Sequence, residues 1–273
     1  MGADAAMKSP PGEERALHWP RKYDLFSVQV SATTYEEVLP LLVEAARKGL
    51  PVTVAHLAVH GLVSARCHPD FLQKINSFTV AVPDGHPVRW ALNLLYGTRL
   101  PDRVYGPELM LRLCGRAAEL GIGVYLYGSQ PQVVERLRAR LMQEFPRLRI
   151  VGCESPPFRP LTPEEDRAVI ERIHASSAGI VFVGLGCPKQ ESFAYEHRDS
   201  IRAVQIGVGA AFDFISGHKP TAPRRMQRHG LEWLYRLLTE PRRLLWRYLW
   251  TNTVFAFLLA GSLLRRRRRG NCL

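Results

Sequence analysis

The sequence contains no GxSxG, no HExxH and no DxD run. The serine-hydrolase elbow, the zinc-protease helix and the acid pair that often holds a divalent ion against a sugar nucleotide are therefore all missing. Cysteine is scarce and poorly spaced: Cys67, Cys114, Cys153, Cys187 and Cys272 form no CxxC and no Cys/His ligand pattern. That excludes a disulfide framework and a zinc module, and it suits a reducing compartment. The histidines are scattered, so no metal site and no obligatory cofactor is expected. Met1 to Pro20 is charged, contains proline and lacks the apolar run of a signal peptide. Residues 1–20 are read as a disordered leader. There is no internal repeat, and the only biased tract is a run of arginines, Arg265 to Arg269.

What is present suffices for one substantial core, since 46% of the 273 residues are hydrophobic. The net charge of +12 is concentrated in the last fifty residues. Such a tail requires an anionic partner, and both nucleic acid and anionic lipid satisfy the charge. Between Leu50 and Phe214 short apolar runs alternate with amphipathic stretches, the pattern of βα units around a mostly parallel sheet. The spacing predicts strands over Val52–Val59, Phe78–Val82, Gly123–Tyr127, Arg149–Cys153, Gly179–Val183 and Val204–Val208. Their continuous apolar character suits burial on both faces. Thr162, Pro163 and Glu165 read as a capping box, as do Ser129 and Gln132.

Past Phe214 the pattern changes to helical, aromatic and basic. We divide the chain into an α/β core over 21–220 and a C-terminal amphipathic helical appendage over 221–273. Within the appendage Pro241 is expected to open a helix, with Thr239 as its cap. Tyr248 to Leu264 is uncharged and about seventeen residues long, at the lower limit of a bilayer span. Three readings are open: an interfacial helix, a core or homo-oligomer interface helix, and a true span. Trp246, Tyr248 and Trp250 beside Arg242, Arg243 and Arg247 favour the interface.

Several turns stand where a parallel sheet presents ligands, at the carboxyl ends of strands. Pro83-Asp84-Gly85 places a carboxylate after one strand, although the three are also ordinary turn residues. Gly184-Leu185-Gly186 with Lys189, Gln190 and Glu191 offers a glycine turn and a helix start to a phosphate, or equally a tight crossover. Gly207-Val208-Gly209 with Asp213 repeats the theme, and Asp213 reads equally as a ligand and as a structural acceptor. Gly128 ends another strand, at a contact or at a plain loop.

Together these segments resemble the WecG/TagA/CpsF family of bacterial glycosyltransferases. The resemblance is carried by Pro83-Asp84-Gly85 with Pro87, by Arg103-Val104-Tyr105-Gly106 and by the two glycine turns with Pro188 to Glu191 and Phe212 to Phe214. It continues through Ala222-Pro223, Gly230 to Trp233 with Arg236, and Glu240 to Arg243 with Arg247 to Leu249. It implies a Rossmann-like core and inverting transfer from a UDP-sugar to a polyprenyl-pyrophosphate-linked acceptor in cell-surface polysaccharide synthesis. It also implies work at the cytoplasmic face of the plasma membrane. By the same resemblance Asp84 is the general base, and Thr53 and Gln190 orient substrate. Gly85, Arg103, Gly128, Gly184, Gly186, Lys189, Glu191, Gly209 and Asp213 contact the nucleotide sugar. Arg236, Arg242, Arg243 and Arg247 would meet the acceptor pyrophosphate or the membrane. Two positions depart from the family pattern: Ala55 stands where asparagine is common, and Thr221 where arginine is. A nicotinamide-dependent oxidoreductase would share the core, but no complete GxGxxG opens the first βα unit. A non-enzymatic membrane or nucleic-acid binder would explain the tail alone. Because the arginines sit beside an apolar helix rather than among stacking aromatics, nucleic acid is not the expected partner.

Overall fold

The computed structural model describes residues 17–270, apart from the side chains of Arg224 and of 267–270. Most of the expected leader, part of the arginine run and Cys272 lie outside the described residues. The chain enters through an antiparallel hairpin, β1 (Lys22–Leu25) and β2 (Val28–Ser31). Alternating Tyr23, Leu25, Val28 and Val30 are its sequence signal; the strand reading began only at Leu50 and missed it. Helix α1 (Tyr35–Arg47) follows, opened by a capping box of Thr34 and Glu37 that was also missed.

The core then alternates. Strand β3 (Val52–Leu57) leads through α2 (Val59–Cys67) and α3 (Pro69–Ser77) to β4 (Val80–Pro83). Helices α4 (His86–Tyr96) and α5 (Gly106–Leu120) precede β5 (Gly123–Gly128). After α6 (Pro131–Glu144) come β6 (Arg149–Glu154), α7 (Pro163–Ala175), β7 (Ile180–Gly184), α8 (Lys189–Glu196) and β8 (Val204–Gly207). The six strands β3 to β8 form one parallel sheet in the order β4-β3-β8-β7-β5-β6. Each of the six predicted strands is present within two residues at either end. The hairpin covers the β4 edge, where the buried Ser31 Oγ accepts from Ala81 N at 3.1 Å.

Period-two alternation sends the strand residues into separate layers. Val54, Val82, Leu126, Phe182 and Ile206 pack with α1, α5 and α6. From the other face Ala55, Leu57 and Ala81 join the α2, α3 and α4 side, while Tyr127, Val181 and Val183 meet α7 and α8. The result is an α/β/α sandwich with a Rossmann-like parallel sheet.

Four further helices follow among the described residues: α9 (Ala211–Ile215), α10 (Arg224–Arg228), α11 (Glu232–Thr239) and α12 (Pro241–Gly270). Two expected caps are corrected. Ser129 does not cap α6, because its φ of 59° belongs to the turn itself, and Gln130 occupies the N-cap position. Thr239 does not cap α12; its hydroxyl donates back to the Tyr235 and Arg236 carbonyls and closes α11. The Thr162–Glu165 box forms as read. Helix α12 begins at Pro241 and lies back on the core, with Leu244, Thr251 and Phe255 buried. Among the described residues no helix is long and apolar enough to cross a membrane, so the spanning reading of Tyr248 to Leu264 is not upheld.

Candidate functional site

All parallel strands point their carboxyl ends the same way, and there the ends of β3, β4, β5, β7 and β8 open into one cleft of about 840 Å³. Backbone amides and carbonyls that the sheet no longer pairs become available at such an edge, and helices start from it. One wall comes from α11 and α12, so the C-terminal helices are part of the cleft.

Asp84 directly follows β4. Its backbone N–H donates to Leu57 O at 3.1 Å, which extends the sheet by one residue and fixes the turn. Its carboxyl Oδ1 accepts from Gly106 N at 3.3 Å. Burial raises its proton affinity above the usual carboxylate range; His56 and Arg103 pull it down, and Glu232 pushes it up. His56, on β3, faces this carboxyl. Its Nδ1 lies 3.0 Å from Gly207 O, and a carbonyl can only accept, so Nδ1 carries the hydrogen and Nε2 is a bare acceptor. That Nε2 is buried without a partner, and burial holds the imidazole toward its neutral form.

The cleft also carries a group of positive charges from the C-terminal helices. Arg236, Arg243 and Arg247 line it, with Lys219 near Asp213 at 3.4 Å and near Glu240 at 3.1 Å. Arg243 pairs with Glu240, whereas Arg236 and Arg247 meet no carboxylate within 4 Å among the described residues. The Arg247 Nε is buried with no acceptor. Burial, and then the neighbouring Arg243 and Arg236, lower its proton affinity. His60, in the first turn of α2, is pushed down to about 4 by burial and by Arg247. Of this cluster Arg236 and Arg247 have no ion-pair partner among the described residues, an arrangement that is costly for a buried group and complementary to an anion.

The glycine turns line the cleft and also permit close packing, as the crossover reading of the β7 turn has it. A Cβ on Gly184 would stand 2.6 Å from the Phe212 ring, and one on Gly207 would stand 2.9 Å from Gln190. These glycines let elements approach closely. The Gly186 N–H is already taken by Gln190 Oε1 at 3.2 Å. Gln190 Nε2 in turn donates to the buried Glu191, whose burial raises its proton affinity. Gln190 and Glu191 thus brace the β7 turn from beneath while reaching the cleft.

The cleft gathers Asp84, Gly85, Arg103, Gly184, Gly186, Gln190, Glu191, Gly209 and Asp213 from the sequence reading, together with Arg236, Arg243 and Arg247. Four residues do not line it. Thr53 is the second residue of β3, at the far end of the strand, where it exchanges hydrogen bonds with Thr79. Gly128 is pressed against Gly184, and the cleft wall passes to Ser129 and Gln130. Lys189 and Arg242 are exposed outside it. Sequence reasoning missed His56, His60, Tyr105 and Glu232 as site residues. For Glu232 the signal was available, in the Gly230 to Trp233 segment. Among the described residues no group of three His, Cys, Asp or Glu side chains is placed to hold a metal ion.

Fold and cleft together define a Rossmann-like α/β protein with a cleft at the carboxyl edge of its sheet that is lined by a buried carboxylate and by several arginines. The family model described as "Glycosyl transferase WecG/TagA/CpsF family" matches residues 23–269. The chain belongs to that family and is a glycosyltransferase of cell-surface polysaccharide synthesis.

Proposed function

We propose that the protein transfers a hexose or N-acetylhexosamine-type sugar from a UDP-sugar to a polyprenyl-pyrophosphate-linked saccharide, with inversion. The observation that carries this reading is the content of the cleft: a buried carboxylate with raised proton affinity, together with Arg236 and Arg247, which meet no carboxylate within 4 Å among the described residues. In the reaction the acceptor hydroxyl oxygen attacks the anomeric carbon and the bond from that carbon to UDP breaks. The hydroxyl proton passes to Asp84, and UDP leaves with the bonding electron pair. Arg236, Arg243 and Arg247 are suited to neutralise pyrophosphate charge, since guanidinium forks bind it in bidentate fashion. The first turn of α2 opens to the cleft beyond an N-cap, Ala58, that makes no side-chain bond, so its amides add to the anion site.

Peripheral attachment to the cytoplasmic face of an anionic membrane belongs to the same reading. Trp246, Trp250, Phe257 and Leu264 follow one another at helical spacing on α12 and are all more than half exposed. Helices with such a stripe beside basic residues lie in the lipid interface.

The test is transfer by the purified protein against a panel of UDP-sugars, with a short-chain polyprenyl-pyrophosphate sugar as acceptor. Transfer from one donor is expected. Asp84→Asn keeps the shape and loses the base, so turnover should fall about 10²- to 10⁴-fold while donor binding persists. Normal turnover in that variant would remove Asp84 from the mechanism.

A further inference from the structure

Glu232 opens α11, outside the α/β core, yet it is only 7% exposed and its carboxylate is wholly engaged by the core. Oε2 accepts from Arg103 Nη2 at 2.5 Å, and Oε1 accepts from the Tyr105 hydroxyl at 3.0 Å. Arg103 Nη1 donates to the Asp84 carbonyl at 3.3 Å, and its guanidinium stacks over the Tyr105 ring at 4.2 Å. One buried cation is therefore ion-paired with the carboxylate of α11 and holds only the backbone carbonyl of Asp84, whose own carboxylate accepts from Gly106 N.

We infer that Glu232 is a positioning residue for Asp84: by sharing the Arg103 charge it prevents a closed Arg103–Asp84 ion pair and keeps Asp84 available to take a proton. This rests on the reading of Asp84 as the general base. A carboxylate alone with a buried arginine is held ionised, and it is a correspondingly poor base. A second carboxylate on the same guanidinium opposes that pull. The burial of Arg103 lowers its proton affinity, and Asp84 and Glu232 together more than offset this.

The groups facing Asp84 are His56 from β3, Tyr35 from α1, Arg103 and Tyr105 from the segment leading into α5, and Glu232 from α11. His86 of α4 lies near Arg103, and its Nε2 is held by Gln227 O at 3.0 Å. All but Glu232 are kept in Glu232→Gln, which preserves size and an acceptor for Arg103 and removes only the charge.

The experiment is the pH profile of kcat/KM for sugar transfer by the full-length chain. The sign follows from the geometry: without the Glu232 charge, Arg103 acts on Asp84 unopposed and its proton affinity falls. The acid limb should move down by about one pH unit and the plateau should fall about threefold, with KM for the UDP-sugar little changed. An unmoved acid limb in a folded E232Q protein overturns the inference and leaves Glu232 as a structural latch. If E232Q does not fold, R103Q/E232Q leaves neither charge of the pair without its partner. There the downward pull of Arg103 and the smaller upward push of Glu232 are both removed, so the acid limb should move up, but by less than in R103Q alone. Equal positions in R103Q and R103Q/E232Q would show that Glu232 exerts no influence on Asp84, and would overturn the inference. Asp84→Asn separates the two failures. If it transfers normally, the base assignment itself is wrong; if it is inactive while E232Q is unshifted, only the role of Glu232 is.

Discussion

In the proposed role of general base, Asp84 must be ionised to accept a proton and must still bind that proton well. Burial beneath the β4 turn and the Glu232 carboxylate raise its affinity, while His56, Arg103 and the Gly106 amide restrain the rise. The acid limb of transfer should accordingly lie above the ordinary carboxylate range, and Asp84→Asn should abolish it. A second residue-scale expectation concerns Gly184. A methyl group there meets the buried Phe212 ring, which has no room to retreat. Gly184→Ala should cost about 1–3 kcal/mol, read as a lower denaturation midpoint. Unchanged stability would return Gly184 to a purely ligand-contacting role. Pro83-Asp84-Gly85 was legible because a turn after an apolar run must lie at a strand end. His56 was not, and Glu232 stood in a motif whose place was not, since nothing in their sequence neighbours indicates that β3, β4 and α11 meet around one carboxyl.

At the scale of elements, the strands were the most readable. An apolar run of five or six residues between turn signals admits few other structures when helices alternate with it. The hairpin β1–β2 escaped because each strand has four residues and the turn at Phe26 and Ser27 takes positive φ without a glycine. Helix α12 was ambiguous for a physical reason: it is apolar on two faces with different fates. Leu244, Thr251 and Phe255 turn inward, and Phe255 sets its ring edge-on to Phe26 with centroids 5.5 Å apart. Phe255→Ala opens a cavity between α12 and the hairpin. It should destabilise by about 3–5 kcal/mol, measured by chemical denaturation. A loss well under 1 kcal/mol would mean that α12 does not dock on the core in solution.

For the whole molecule, charge and exposed apolar surface occupy the same region. The net +12 comes largely from the C-terminal segment, and the outward stripe of α12 runs beside it. Replacing Trp246, Trp250 and Phe257 together with serine leaves the buried face intact. It should abolish sedimentation with vesicles containing anionic lipid while the thermal midpoint moves little. Retained sedimentation would exclude this stripe as the membrane contact. By itself, the sequence determined the sheet, the strand-end turns, the family and the location of positive charge, because hydrophobic periodicity, turn chemistry and composition are local properties. Only the tertiary structure decided that Thr53 and Lys189 stand away from the cleft, that Gly184 and Gly207 are closely packed, and that Glu232 reaches Arg103. Those facts depend on which strand ends and helices converge, and on which buried charges must be neutralised once they do. Convergence of that kind is set by packing across distances that the order of residues does not display.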